Sequence, residues 1–206
     1  YESWGNKLNT PTSYDPKKDF FNTGMTFINS VTLTTGNKHN QTFASFSSSN
    51  AKGIVPNNKY DRYNLTIRNS SSFLNDKLKL DLGASYVQQK DLNMVSQGRY
   101  QNPVMAAYLF PRGESWDAVK TFERYDQGRN IYTQYWPIRD DFGPDNPYWT
   151  AYRDLLPNKK NRYMFNVGLT YYILDWLNMS VRYRLDDTYI NSERKVYKRC
   201  LHARLY

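Results

Sequence analysis

Between positions 90 and 160 the chain concentrates the side chains best suited to hold a ligand: Trp116, Tyr125, Tyr132, Tyr135, Trp136, Tyr148, Trp149 and Tyr152, with Asp, Asn and Arg between them. Flat aromatic faces stack on sugars or peptide side chains, and hydrogen-bonding neighbours orient what is stacked. The chemistry on offer is therefore recognition of an oligosaccharide or a peptide. Trp116, Tyr132, Trp136, Tyr148 and Trp149 are the candidate ligand-binding residues. The competing reading is packing, because a segment this long must bury something to offset the entropy of ordering it. Packing ranks first of the two.

Bond-making chemistry has less support. Glu114, Glu123, Asp140, Asp141 and Asp145 invite comparison with the carboxylate pair of a glycoside hydrolase. Nearness in sequence does not set the separation across a substrate, and Asp140 to Pro147 is dense in turn formers, which reads as loop. No G-x-S-x-G, H-E-x-x-H or phosphate-binding loop is present, so no catalytic site is expected. Cys200 is the single cysteine, and the two histidines, His39 and His202, lie far apart. That inventory excludes an intrachain disulfide framework and a cysteine-rich zinc site, and no metal or other cofactor is expected. The formal charge of +9 is scattered singly, apart from short runs such as Lys159-Lys160 and the last dozen residues. It reads as a solvated surface with contacts to anionic lipid, and no nucleic-acid-binding motif accompanies it.

The elements that must carry these residues are strands. A chain of 206 residues fills one or two domains, and no stretch of it approaches the roughly 18 apolar residues of a membrane helix. A membrane strand needs only about 9–11 residues, of which alternate ones face lipid. Alternation appears six times, near 23–34, 40–49, 62–73, 78–89, 161–173 and 176–189. The clearest is the last pair. Tyr163, Phe165, Val167, Leu169, Tyr171 and Ile173 alternate with mostly polar residues, then Leu177, Met179, Val181, Tyr183 and Leu185 alternate with Asn178, Ser180, Arg182, Arg184 and Asp186. The second run, with Phe43 and Phe46 among hydroxyl residues, is the poorest.

Turn residues at Gly36 to His39, Asn75 to Lys77 and Leu174 to Trp176 join the runs into three hairpins. Long loops, 50–61 and 90–160, separate the hairpins. A compact soluble domain rarely carries a structureless loop much beyond about 15 residues. Short turns on one side and long loops on the other are the topology of outer-membrane barrels, whose long loops are extracellular. Tyr60, Tyr63, Tyr86, Tyr163, Trp176, Tyr183 and Tyr189 near strand ends suit the lipid–water boundary, and Tyr (19) outnumbers Phe (10). The expected fold is all-β: an antiparallel transmembrane β-barrel segment of about six strands with long extracellular loops.

Several stretches resemble one family. Lys52-Gly53-Ile54-Val55-Pro56-Asn57-Asn58-Lys59-Tyr60-Asp61-Arg62-Tyr63 is similar to a stretch of SusC/RagA-type TonB-linked outer-membrane proteins. Tyr108-Leu109-Phe110-Pro111-Arg112-Gly113, Asn146-Pro147-Tyr148-Trp149 and Arg162-Tyr163-Met164-Phe165-Asn166-Val167 follow in the family's order, and the likeness spans about Phe20 to Asp187. The resemblance implies a barrel of about 22 strands closed around a plug. It also implies import of glycans or other nutrient oligomers across the Gram-negative outer membrane, a SusD-like surface lipoprotein as partner, and energy delivered through the TonB complex.

On this reading 1–191 is part of such a barrel. The tail, 192–206, is basic and without clean alternation, and reads as a truncated or frameshifted end. Tyr1-Glu2-Ser3-Trp4-Gly5 has neither the basic start nor the apolar run of a signal peptide, which for an exported protein implies processing or truncation. The alternative function is a secreted or surface β-rich module that binds carbohydrate through its aromatics.

Overall fold

The computed structural model describes residues 14–98, 101–111, 115–136 and 143–197. In chain order its elements are α1 (Pro16–Asp19), β1 (Met25–Gly36), β2 (Asn40–Lys52), β3 (Lys59–Phe73), β4 (Leu78–Leu92), α2 (Pro103–Leu109), α3 (Trp116–Lys120), β5 (Glu123–Asp126), β6 (Ile131–Gln134), α4 (Pro147–Arg153), β7 (Asp154–Leu155), β8 (Pro157–Leu174), β9 (Leu177–Ser192) and β10 (Lys195–Val196). Six long strands form one antiparallel sheet in the order β1-β2-β3-β4-β8-β9. The sheet stays open, and among the described residues β1 and β9 are its unpaired edges. Its strands run from 12 to 18 residues, longer than the 3–10 or so usual in globular sheets.

Register decides what this sheet presents. Leu33, Ala44, Ile67, Ala84, Phe165 and Leu185 are cross-strand partners in one unbroken apolar row. Toward the short turns come Leu82, Val167 and Tyr183, then Leu80, Leu169 and Val181, then Phe73, Leu78, Tyr171 and Met179, all on the same face. On the other side of the row lie Val31, Phe46, Leu65, Tyr86 and Tyr163. Many of these side chains are open to the surroundings, Val31 at 71% and Phe165 at 42% exposure. Soluble monomers rarely expose a contiguous apolar patch larger than a few hundred Å², and here exposed apolar side chains recur on all six long strands.

The opposite face is polar. Arg162 donates to both carboxylate oxygens of Asp186, at 2.8 and 2.5 Å. Thr66 and Ser85 share a hydrogen bond of 2.9 Å, Ser70 donates to Asp81, and the Arg68 guanidinium lies 6.0 Å from the Phe43 ring centre. Phe43 and Phe46, three residues apart, therefore point to opposite faces, which is why their strand alternates poorly. Its ladder is nevertheless continuous from Asn40 to Lys52, because backbone pairing does not need apolar side chains.

The three tight turns share one end of the sheet. In the first, the Asn37 side-chain oxygen accepts from the backbone N–H groups of His39 and Asn40, both at 2.9 Å. A Cβ on Gly36 would overlap the carbonyl oxygen of Asn40, so the position has room only for glycine. Between β3 and β4, Leu74, Asn75 and Asp76 all take positive φ (56, 53 and 65°). Asn and Asp tolerate this conformation; a leucine does so only where the turn imposes it. Between β8 and β9 the ladder shifts register at Tyr172/Leu174, so that Leu174 pairs with Leu177 and the turn tightens to Asp175-Trp176.

At the other end the expected loops are corrected. Pairing runs out to Lys52 and Lys59, so the connection expected over 50–61 shrinks to 53–58. The segment expected as one loop over 90–160 holds α2, α3, the β5–β6 hairpin, α4 and β7. Helices of five to seven residues show too few periodic positions to stand out in a sequence. Most of the buried core lies here, in a cap over one end of the sheet, and not on the sheet's faces.

Candidate functional site

The cap is built around aromatic rings. Tyr14, Phe20, Val55, Ala107, Phe110, Trp116 and Val119 form one buried cluster, with Phe21, Val104, Trp136 and Tyr148 packed against it. Trp116 sits at its centre. Tyr14 stacks on it at 4.2 Å with planes 16° apart, and Phe110 meets it edge-on at 5.1 Å. Such pairs add about 0.5–1.5 kcal/mol each beyond their buried area. The polar tips are matched: Tyr14 donates to the Ala107 carbonyl at 2.9 Å, and the Trp116 indole N–H faces both the Asp19 carbonyl and the Tyr148 hydroxyl at 3.3 Å.

Asparagines hold the helices in place. Asn102 and Asn146 each precede a proline, and each side chain caps its helix by accepting from the backbone N–H groups two and three residues on. Pro at the first helical position has the right φ and no N–H to waste. Asn146 is fully buried, and its amide nitrogen also donates to the Val119 carbonyl at 2.9 Å and the Tyr135 carbonyl at 3.0 Å. One side chain thus joins the start of α4 to the ends of α3 and β6.

Asn57 and Asn93, both at positive φ, do the same for the sheet. Each donates to the Ala151 carbonyl at 2.8 Å, Asn58 donates to the Asn93 carbonyl at 2.8 Å, and the Asn93 oxygen accepts from the Leu156 N–H at 2.9 Å. Val55 inserts into the buried cluster. The stretch Lys52 to Tyr63 is therefore a latch between cap and sheet. Sequence reading missed Asn93, Asn57 and Asn146 as positioning residues; the Asn-Pro and Asn-Asn pairs were the available signal.

The candidate ligand-binding aromatics separate by exposure. Trp149 is 0% exposed and Trp116 5%, so in this chain neither offers a ring face to a ligand. Their burial has a plain cause, since short helices hold to the cap only through large side chains inserted between them. Tyr148 is half-buried against Trp116 and Phe20. Burial raises its hydroxyl pKa above the ordinary 10.0. Trp136 is half-buried beside Phe110 at 6.0 Å, and its indole N–H is buried without a hydrogen-bond partner among the described residues. Tyr132 is 59% exposed on β6, packed edge-on against Tyr125 at 5.2 Å. Tyr152 is also open, stacked on Phe122 at 5.8 Å. The structure brings Trp116, Trp136 and Tyr148 to one cluster, while Tyr132 stands on the hairpin with Tyr125.

The carboxylates are engaged elsewhere. Glu123 receives two hydrogen bonds from Arg153, both 2.8 Å, and this contact holds the Arg153 pKa above its ordinary value. Asp145 is buried, and the Gln134 amide, turned so that both its ends are matched, donates to it at 3.2 Å. Asp140, Asp141 and Glu114 lie outside the described residues, as do Cys200, His202, Arg112 and Gly113. His39 lies at the turn end of the sheet, 3.3 Å from Asp76.

The described part of the tail docks on the cap. Arg194 donates to both oxygens of the buried Asp154, at 2.9 and 2.8 Å. The Tyr197 N–H bonds the Arg153 carbonyl at 3.0 Å, and β10 pairs with β7.

No family model matches the chain, and no curated protein matches it.

Proposed function

We propose that the chain is part of the wall of an outer-membrane nutrient transporter of the SusC/RagA TonB-linked type. Its six strands belong to a larger barrel, and its cap lines the extracellular vestibule. The observation that carries the membrane reading is the single exposed apolar face, continuous across all six strands and backed by a polar one. A barrel in lipid has this arrangement, apolar outward and polar inward. From Tyr163 to Leu174 the strand is long enough for a membrane crossing at a tilt of about 40°.

The transporter reading is supported by the four stretches in family order. The open edges of β1 and β9 support a larger barrel, since an unpaired edge in lipid leaves backbone groups without partners. Substrate, a glycan or another nutrient oligomer, enters past the cap, where Tyr125, Tyr132 and Tyr152 offer open rings. A SusD-like lipoprotein covers the vestibule and the TonB complex supplies the energy.

Membrane flotation tests the proposal. The full transporter is expected to float with outer membranes and to require detergent for extraction. Recovery of this chain as a monodisperse protein that binds oligosaccharide without detergent would overturn it in favour of a secreted carbohydrate-binding module.

A further inference from the structure

On the apolar face, just capward of the tyrosines, the pattern changes abruptly. The row Tyr63, Gln88, Asn161, Tyr189 is followed by Asp61, Lys90, Lys159, Asn191 and then by Lys52, Lys59, Leu92, Pro157. Two like-charged pairs lie directly opposite one another, Lys52 with Lys59 and Lys90 with Lys159. Such pairs destabilise a sheet unless an anion lies between them. Residues of these rows border a hollow of about 430 Å³ whose charged lining is Lys59, Lys90, Lys159 and Lys195 with Asp61, Asp91 and Glu193.

Asp61, opposite Lys90, and Asp91 and Glu193 offset part of this charge without closing an ion pair on the strand lysines, so the hollow keeps an excess of positive charge. Asp61 accepts from the Asn50 amide at 2.6 Å, Asp91 from Asn158 at 2.9 Å, and Glu193 pairs with Lys195 at 3.2 Å. Among the described residues Lys59, Lys90 and Lys159 make no ion pair, and all three are exposed.

We propose that this hollow receives the phosphate groups of anionic membrane lipids. The inference rests on the membrane reading above and adds to it a site and its ligand. If the apolar rows lie in hydrocarbon, Lys90 and Lys159 leave the strands four residues beyond Tyr86 and Tyr163, about 10 Å along the normal, and their long stems reach back into the headgroup layer, which flanks the core by roughly 5–8 Å. Lysine suits this place, because its stem lies on apolar surface while its ammonium reaches the phosphates. Lipid phosphate would pair with the positive charge that Asp61, beside Lys90, leaves unmatched on Lys59 and Lys159.

The test is binding of the full 206-residue chain to vesicles of phosphatidylcholine alone and of phosphatidylcholine mixed equally with phosphatidic acid. The expected result is binding to both, with a preference for the anionic vesicles that Lys59→Gln, Lys90→Gln and Lys159→Gln together reduce roughly a hundredfold, about fivefold for each lysine. Lys17→Gln, Lys18→Gln and Lys38→Gln together remove the same charge elsewhere and are expected to leave most of that preference. Circular dichroism checks that both triple variants keep their strands.

An equal loss in the control variant would assign the preference to net charge and overturn the proposal. So would displacement by inorganic phosphate matched to the lipid phosphate concentration, which would mark a soluble-anion site. Equal binding of the unaltered chain to both vesicles overturns this proposal alone. Binding to neither overturns the membrane reading, and this one with it.

Discussion

Leu169→Arg is the most direct test of which face meets lipid. Leu169 lies between Leu80 and Val181 on the apolar face, six residues from Tyr163 and five from Leu174. At about 3.3 Å per residue and a tilt near 40°, it lies roughly 13–15 Å from either end of the apolar band, which on the proposed membrane reading is close to the bilayer midplane. An arginine there costs about 2–4 kcal/mol, and we take about 3. Met164→Arg adds the same charge to the same strand but on the polar face, opposite Asp186, where a change within about 0.5 kcal/mol is expected. The assay is urea unfolding of the full transporter carrying each substitution, folded in neutral phosphatidylcholine vesicles, with stability read by linear extrapolation. If both variants lose less than about 1 kcal/mol, the apolar face does not meet hydrocarbon, since the cost of a charge at the midplane would be missing.

Two further outcomes concern the cap. Asn146→Ala removes a helix cap worth about 1 kcal/mol and leaves the Val119 and Tyr135 carbonyls without a donor at about 1 kcal/mol each, so a loss of about 3 kcal/mol is expected, read as faster amide exchange at Trp149. Tyr148 has a raised folded-state pKa, so its contribution is complete below about pH 10 and is lost as pH rises through the folded value. Alkaline unfolding followed by tryptophan fluorescence is expected to show this limb, and Tyr148→Phe to flatten it.

Much of the sheet was legible because a strand's period of two is written directly in side-chain polarity. Tyr163 to Tyr171 and Leu177 to Leu185 show it with hardly a break. The cap was not legible. Its helices begin at Asn-Pro pairs, which mark a turn as readily as a helix start, and they are too short for a 3.6-residue period to appear. The candidate aromatics show the same limit. Trp149 and Tyr132 look alike in sequence, yet one is enclosed by the cap and the other stands on an exposed hairpin.

By itself the sequence determined where the six long strands and the three tight turns fall, and, for every long strand but β2, that it has one apolar and one polar side. These follow from contacts along the chain, within a few residues. Only the tertiary structure decided that the apolar sides of all six strands share one face, that Lys90 meets Lys159, and that Asn146 joins three elements. The physical reason is register. Sliding any strand by one residue would leave its own alternation intact and send its whole apolar set to the other face.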